Sequence, residues 1–288
     1  MNRMHFSLDK ISIVGADGYI GQNLVKQLSI FNYHYYEFNR NSTVISNGIL
    51  NPNAANSDVI IWCASSVTPI SANSNPDLIR ADLDDWLGFI KLLNSSRAKQ
   101  IKIIFLSSAG CTYSESEAPF SEHDLSLGTN AYGKMKLQME SSLIASGMNY
   151  LILRIANVYG PNQPTGRGQG VIAEWVRSIA ENKPLVMYGD RDSYRDYIYI
   201  DDLISAIISL LENKVTDQKV NIGSGNSTTL GDLEQIFSEI SGVEFTTILN
   251  ESRNTDRRGY FLKIEKILNM TNWYPRVTIR NGIRLCLP

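Results

Sequence analysis

Three features of this 288-residue sequence predict an α/β protein built on a doubly wound parallel sheet, with a smaller α/β substrate-binding region. Short apolar runs alternate with longer amphipathic stretches throughout the first half. Two of those runs, residues 59–63 and 101–106, are almost continuously apolar, as strands covered on both faces require. A glycine-rich turn follows the first run and opens a helical stretch, which makes the repeating unit strand–helix–strand. That is the Rossmann-type arrangement.

In chain order, residues 11–14 form the first strand, and a helix runs from about Tyr19 to Ile30. Residues 33–38 give an aromatic-rich second strand bounded by Asn and Arg. Between the strands at 59–63 and 101–106, residues 78–93 carry helical spacing. A further helix covers 131–146 and is ended by Gly147, and residues 150–154 form the next strand. After Asn157 the texture changes. Residues 159–170 hold four glycines and two prolines and read as a loop. Helix-like stretches follow at 171–181, 201–211 and 230–240, with strand-like ones at 185–188 and 244–248. The chain therefore divides into residues 1–157, a dinucleotide-binding part, and 158–288, a second part expected to interleave with the first.

Composition excludes several classes. The 27 Lys and Arg against 29 Asp and Glu leave a formal net charge of −2, without the basic surplus of a nucleic-acid binder. Cys63, Cys111 and Cys286 are far apart and form no C-x-x-C pair, which argues against a disulfide framework or a structural zinc site. The first ten residues have no apolar stretch ahead of their charges, and no apolar run approaches a membrane span. The expectation is a cytoplasmic protein with no membrane or nucleic-acid partner.

Gly15-Ala-Asp17-Gly18-Tyr19-Ile20-Gly21 has the spacing G-x-x-G-x-x-G after a strand and at the start of a helix. Glycine allows positive φ and close backbone approach, and the helix N-terminus offers unpaired N–H groups to a pyrophosphate. The cofactor is therefore NAD or NADP. At the end of the second strand, Asn39 and Arg40 lean towards NADP, while Glu37 keeps NAD open. Tyr132 and Lys136 stand at i and i+4, so both fall on one helix face. A nearby ammonium, together with the positive nicotinamide ring of an oxidised cofactor, is expected to favour the phenolate and make the tyrosine a usable base. Ser107 and Ser108 end a parallel strand, where such sheets place their ligands.

These motifs resemble the NAD-dependent epimerase/dehydratase family of extended short-chain dehydrogenase/reductases, whose members act on nucleotide sugars. The resemblance extends to residues 107–113, 154–161, 195–202 (Arg-Asp-Tyr-Ile-Tyr-Ile-Asp-Asp), 221–225 and 272–275. It implies a catalytic set of Ser108, Tyr132 and Lys136, with Ser107 or Thr112 as alternatives to Ser108. It places Gly15, Asp17, Gly18, Tyr19, Ile20, Gly21, Asn39, Arg40, Ala64, Ser65, Ser107, Ile155, Tyr132 and Lys136 around the cofactor. Asn157, Arg195 and Arg253 are implied on the diphosphate of a UDP-, dTDP- or GDP-hexose, with Val186 and Tyr188 against the base. An ion pair of Arg195 with Asp190 or Asp192 is the competing reading.

The segment 195–202 is most similar to the epimerase branch, and Ser108-Ala-Gly-Cys lacks the acidic pair that dehydratases need. The implied reaction is 4-epimerisation through a transient 4-keto sugar, with an NADP-dependent 4-keto-6-deoxyhexose reductase as the alternative. A homodimer through helices 78–93 and 131–146 is also implied. One departure is the short, Asn-rich stretch 42–57, where relatives have a fuller strand–helix unit.

Overall fold

The computed structural model describes residues 10–95, 97–114, 117–166, 169–252 and 258–288. Six parallel strands form the central sheet: β1 (Lys10–Val14), β2 (His34–Phe38), β3 (Val59–Trp62), β4 (Lys102–Ser108), β5 (Tyr150–Ile155) and β6 (Gln218–Ile222). Their order across the sheet is β6-β5-β4-β3-β1-β2. The direction of winding thus reverses at β1, where β2 lies on one side and β3 on the other. Ligands bind at such switch points, beyond the carboxyl ends of the strands. Edge strand β6 comes from the second half of the chain, so the two halves interleave in the sheet.

The uninterrupted apolar runs have a direct cause. Along β3, Val59 and Ile61 enter one core cluster while Ile60 and Trp62 enter another. Successive side chains of a strand point to opposite faces, so a strand with a helix layer on each side has no solvent face to spend on polar residues. Trp62, Trp86, Phe89 and Phe105 pack on the second face with ring centres 4.7–6.1 Å apart.

Helix Pro76–Asn94 lies on that face and packs against helix Ala131–Ala145. Trp86 Nε1 donates to Ser142 Oγ at 2.8 Å and to the Met139 carbonyl at 3.2 Å, which fixes where the second helix sits. The start of that helix is set by Asn130, whose side chain accepts from Gly133 N–H at 2.9 Å. Gly133 also lets the helix settle on the backbone of residue 111: a Cβ there would run into the Cys111 carbonyl oxygen. Gly133→Ala is therefore expected to destabilise the fold by about 1–3 kcal/mol, since a backbone carbonyl cannot swing aside. Urea denaturation of the two proteins measures it.

Most elements lie within one or two residues of their sequence-based bounds. The strand expected at 244–248 is displaced and runs Thr247–Asn250, paired in parallel with Leu185–Tyr188. The register of that pair is set by the partner strand, which five residues of local sequence do not encode. The stretch 42–57 adds no strand to the sheet. It folds into a two-residue hairpin ladder (Ile45–Ser46 with Ile49–Leu50) and a single helical turn, Pro52–Ala55. Among the described residues, no helix is long and apolar enough to cross a membrane.

Candidate active site

One cleft of about 1420 Å³ runs across the carboxyl ends of the strands. Gly18, Tyr19, Ile20 and Gly21 line it at one end, Val186, Tyr188 and Arg195 at the other, and Ser108, Tyr132 and Lys136 between them. Single-ligand pockets usually hold ~300–1,000 Å³, so this volume suits a dinucleotide and a second ligand together. The fit of the glycine turn is chemical as well as spatial. Gly18 is the N-cap of helix Tyr19–Ile30 and supplies no side-chain acceptor, so the first N–H groups of the helix are left for a ligand. Gly15 has φ +90°, and a Cβ there would strike the backbone of Ala64, the residue just beyond β3. Ala64 thus closes on the turn through its backbone and does not itself line the cleft.

Three hydroxyls compete for the role at the end of β4, and the structure separates them. Ser107 Oγ donates to Glu140 Oε1 at 2.6 Å, and Glu140 in turn holds Arg154 through a buried bidentate pair at 2.7 and 3.1 Å. Ser107 is thereby committed to a buried polar network. Thr112 is fully buried and donates to the Ser108 carbonyl at 2.6 Å, which removes it as an alternative. Both serines line the cleft, but the Ser108 side chain makes no hydrogen bond to the described residues. Strand alternation is the reason: adjacent serines on β4 point to opposite faces.

Lys136 is buried, donates to the Leu106 carbonyl at 3.2 Å and lies 5.6 Å from the Tyr132 ring centre. Burial pushes its ammonium down to about 8, although Asp82, Cys63 and Glu140 oppose the fall. Among the protein's own groups, burial rather than Lys136 dominates at the Tyr132 hydroxyl. Burial raises Tyr132 well above the usual phenol value, and Cys111 and Asp82 add to the rise. Desolvation of a phenolate outweighs an ammonium whose own charge is weakened by the same burial.

Asp82, missed in the sequence because it reads as one of several acidic residues on a solvated helix, therefore matters. Its carboxylate accepts from Ser65 Oγ at 2.8 Å and Ser66 N–H at 2.8 Å, pinning the loop after β3 beside Lys136. It raises both Tyr132 and Lys136, so Asp82→Asn should move both limbs of the pH–rate profile to lower pH. A purely structural loss would lower the rate without moving the profile.

At the far end of the cleft, Asn157 Oδ1 accepts from the Tyr260 hydroxyl at 3.0 Å. Arg195 Nη1 donates to the carbonyls of Tyr194 (2.8 Å) and Arg258 (3.2 Å), while Asp190 accepts from Ser193 instead. Val186 and Tyr188 alternate outwards from strand Leu185–Tyr188 and keep 37% and 39% of their surface exposed into the cleft. Arg253 lies outside the described residues. Arg258, Tyr260 and Gln163 also line the cleft and were not singled out in the sequence, since they come from irregular segments with no periodic signal. Ile155 and Ser65 join the wall near Lys136. Asp17, Asn39 and Arg40 sit around the tip of β2, outside the main cleft lining.

Comparison with known proteins places the chain in one family. The chain matches the model of the NAD dependent epimerase/dehydratase family over residues 11–223. It is 36% identical over 186 residues to a dTDP-4-dehydro-6-deoxyglucose reductase of Escherichia coli, covering 63% of this chain and 59% of that one. A Methanocaldococcus jannaschii protein provisionally called UDP-glucose 4-epimerase is 28% identical over 298 residues, 95% of this chain and 96% of that one. The crystal structure of the Thermotoga maritima UDP-glucose 4-epimerase with UDP-glucose superposes with a TM-score of 0.84 at 25% identity, covering 96% of each chain. With a glycine turn, an uncapped helix and a Ser, Tyr and Lys converging on one cleft, the chain belongs to the NAD dependent epimerase/dehydratase family and is an NAD-dependent enzyme.

Proposed function

We propose that the protein is a nucleotide-sugar 4-epimerase acting through a transient 4-keto sugar. The observation that carries this reading is the single cleft joining the glycine turn, the Ser108, Tyr132 and Lys136 constellation, and the apolar pair Val186 and Tyr188. NAD, when bound, supplies reversible oxidation at C4. Tyr132 takes the proton from the C4 hydroxyl and returns it, and Ser108 donates to the same oxygen. Lys136 holds positive charge beside them and binds the ribose of the cofactor. Arg195 and Asn157 hold the diphosphate, for which a planar guanidinium is suited. Val186 and Tyr188 take the base. Ala109, Gly110 and Cys111 follow Ser108 with no carboxylate for eliminating water, which favours epimerisation over dehydration.

The test is incubation with UDP-hexoses followed by NMR of the C4 configuration. A C4 epimer formed without net cofactor turnover supports the proposal, and its absence across UDP-, dTDP- and GDP-hexoses overturns it. The E. coli relative at 36% identity, with the exposed Arg40, favours a second reading as a reductase of a nucleotide 4-keto-6-deoxyhexose. That reading requires stoichiometric NADPH consumption with such a substrate.

We further infer a cytoplasmic homodimer through helices Pro76–Asn94 and Ala131–Ala145, on which Leu87 and Ile144 remain exposed. Light scattering that gives only monomer at micromolar concentration overturns the dimer.

A further inference from the structure

A dinucleotide site chooses between a ribose hydroxyl and a ribose phosphate at the end of its second strand, ordinarily with a carboxylate that ends the strand. Here that position is Asn39, whose side chain is already engaged. Its Oδ1 accepts the N–H groups of Asn41 and Ser42, both at 2.9 Å, and so closes the turn after β2. Its Nδ2 donates to Asp17 Oδ1 at 3.0 Å. Asp17 belongs to the glycine turn, 22 residues earlier, and is exposed. The turn and the strand tip are stitched further by Gly15 N–H and Ala16 N–H, which both donate to the Phe38 carbonyl at 2.9 and 3.1 Å. A carboxylate is thus held at the tip of β2, although Asn39, the residue just after the strand, is neutral.

We infer that Asp17, moored by Asn39, sets the preference of this enzyme for NAD over NADP. A carboxylate accepts a hydrogen bond from a ribose 2′-hydroxyl. Against a 2′-phosphate carrying about −1.5 to −2 charges it acts as a repulsive element, which is an effective way to reject a competing ligand. Arg40, exposed and next in sequence to Asn39, is the cation that would favour the phosphate once Asp17 is neutral. The inference rests on the reading of the glycine turn as a dinucleotide site.

Calorimetric titration with NAD⁺ and with NADP⁺ of protein stripped of bound nucleotide provides the test. The wild type is expected to bind NAD⁺ more tightly. Asp17→Ser should shift the ratio of the two affinities towards NADP⁺ by about tenfold or more, since like charges in contact cost several kcal/mol. Asn39→Ala should shift it in the same direction by less, and adding Arg40→Ala to Asp17→Ser should reverse the gain. Circular dichroism confirms that the variants are folded. A ratio in Asp17→Ser within twofold of wild type, or a wild type that prefers NADP⁺, overturns the inference while leaving the dinucleotide site standing. Failure of the folded wild type to bind either nucleotide overturns the inference and the dinucleotide reading together.

Discussion

Replacing Tyr132 by Phe is expected to reduce turnover by about 10³–10⁴-fold while leaving the fold and the affinity for NAD nearly unchanged. General acid–base catalysis is commonly worth ~10²–10⁴-fold. The upper part of that range applies because two hydroxyls near the end of β4 are committed elsewhere. Ser107 is held by Glu140 and Thr112 by the Ser108 carbonyl. The Tyr132 hydroxyl makes no hydrogen bond to the described residues, so its removal breaks no structural contact, and the ring still packs on the second core cluster. Melting temperature and nucleotide titration check the structural half of this expectation, and a C4-epimerisation assay checks the catalytic half. Turnover within a few-fold of wild type would remove Tyr132 as the proton-transferring group.

Lys136→Met is expected to lower turnover by about 10²–10⁴-fold and, at pH 7, to make the protein more stable. The rate loss follows from removing the charge beside the reacting groups and the cofactor ribose, and the stability gain from removing a buried charge. Lys136 is 4% exposed, and burial pulls its ammonium down to about 8 from an unfolded value near ~10.4. Below pH 8 both states hold the proton, so the folded protein carries the full cost of a buried charge. Between pH 8 and about 10.4 the unfolded chain binds more protons than the native one, so this contribution to stability improves as pH rises. A methionine of similar length carries no such cost and gives up one hydrogen bond to the Leu106 carbonyl. The variant should therefore exceed wild type by on the order of 1–3 kcal/mol at neutral pH, with the margin shrinking towards pH 10. Urea unfolding at pH 7 and pH 9.5 measures the margin. A lysine on a solvated helix face would move neither stability nor rate, and equal values for both proteins would remove Lys136 from the site. Activity bought with a destabilising buried charge is common where a site must tune its proton affinities.

The layout of the fold was legible because each layer of it leaves a periodic mark. The apolar run at β3 follows from burial on both faces, and the helix from Tyr19 to Ile30 begins where the glycine turn ends. Tyr132 and Lys136 could be paired from sequence because a spacing of four residues on a helix fixes their common face. These are local relations, carried by neighbours in the chain.

Other properties depended on contacts between distant segments. Ser107 and Ser108 are equivalent in composition and both line the cleft, and only the helix bearing Glu140, which meets one face of β4, ties the Ser107 hydroxyl into a buried network and leaves that of Ser108 unengaged. Asp82 reads as surface charge until the loop after β3 folds onto it. The carboxylate at the tip of β2 is invisible at the strand itself, because Asp17 arrives from the preceding turn. The sequence by itself determined the parallel α/β architecture, the glycine turn and the Tyr–Lys pair. The tertiary structure decided which serine faces the ligand, which charges act on Tyr132 and Lys136, and where the ribose-side carboxylate comes from. The physical reason is range: backbone periodicity is set within a few residues, whereas desolvation and Coulomb interactions depend on what else is packed within several ångströms.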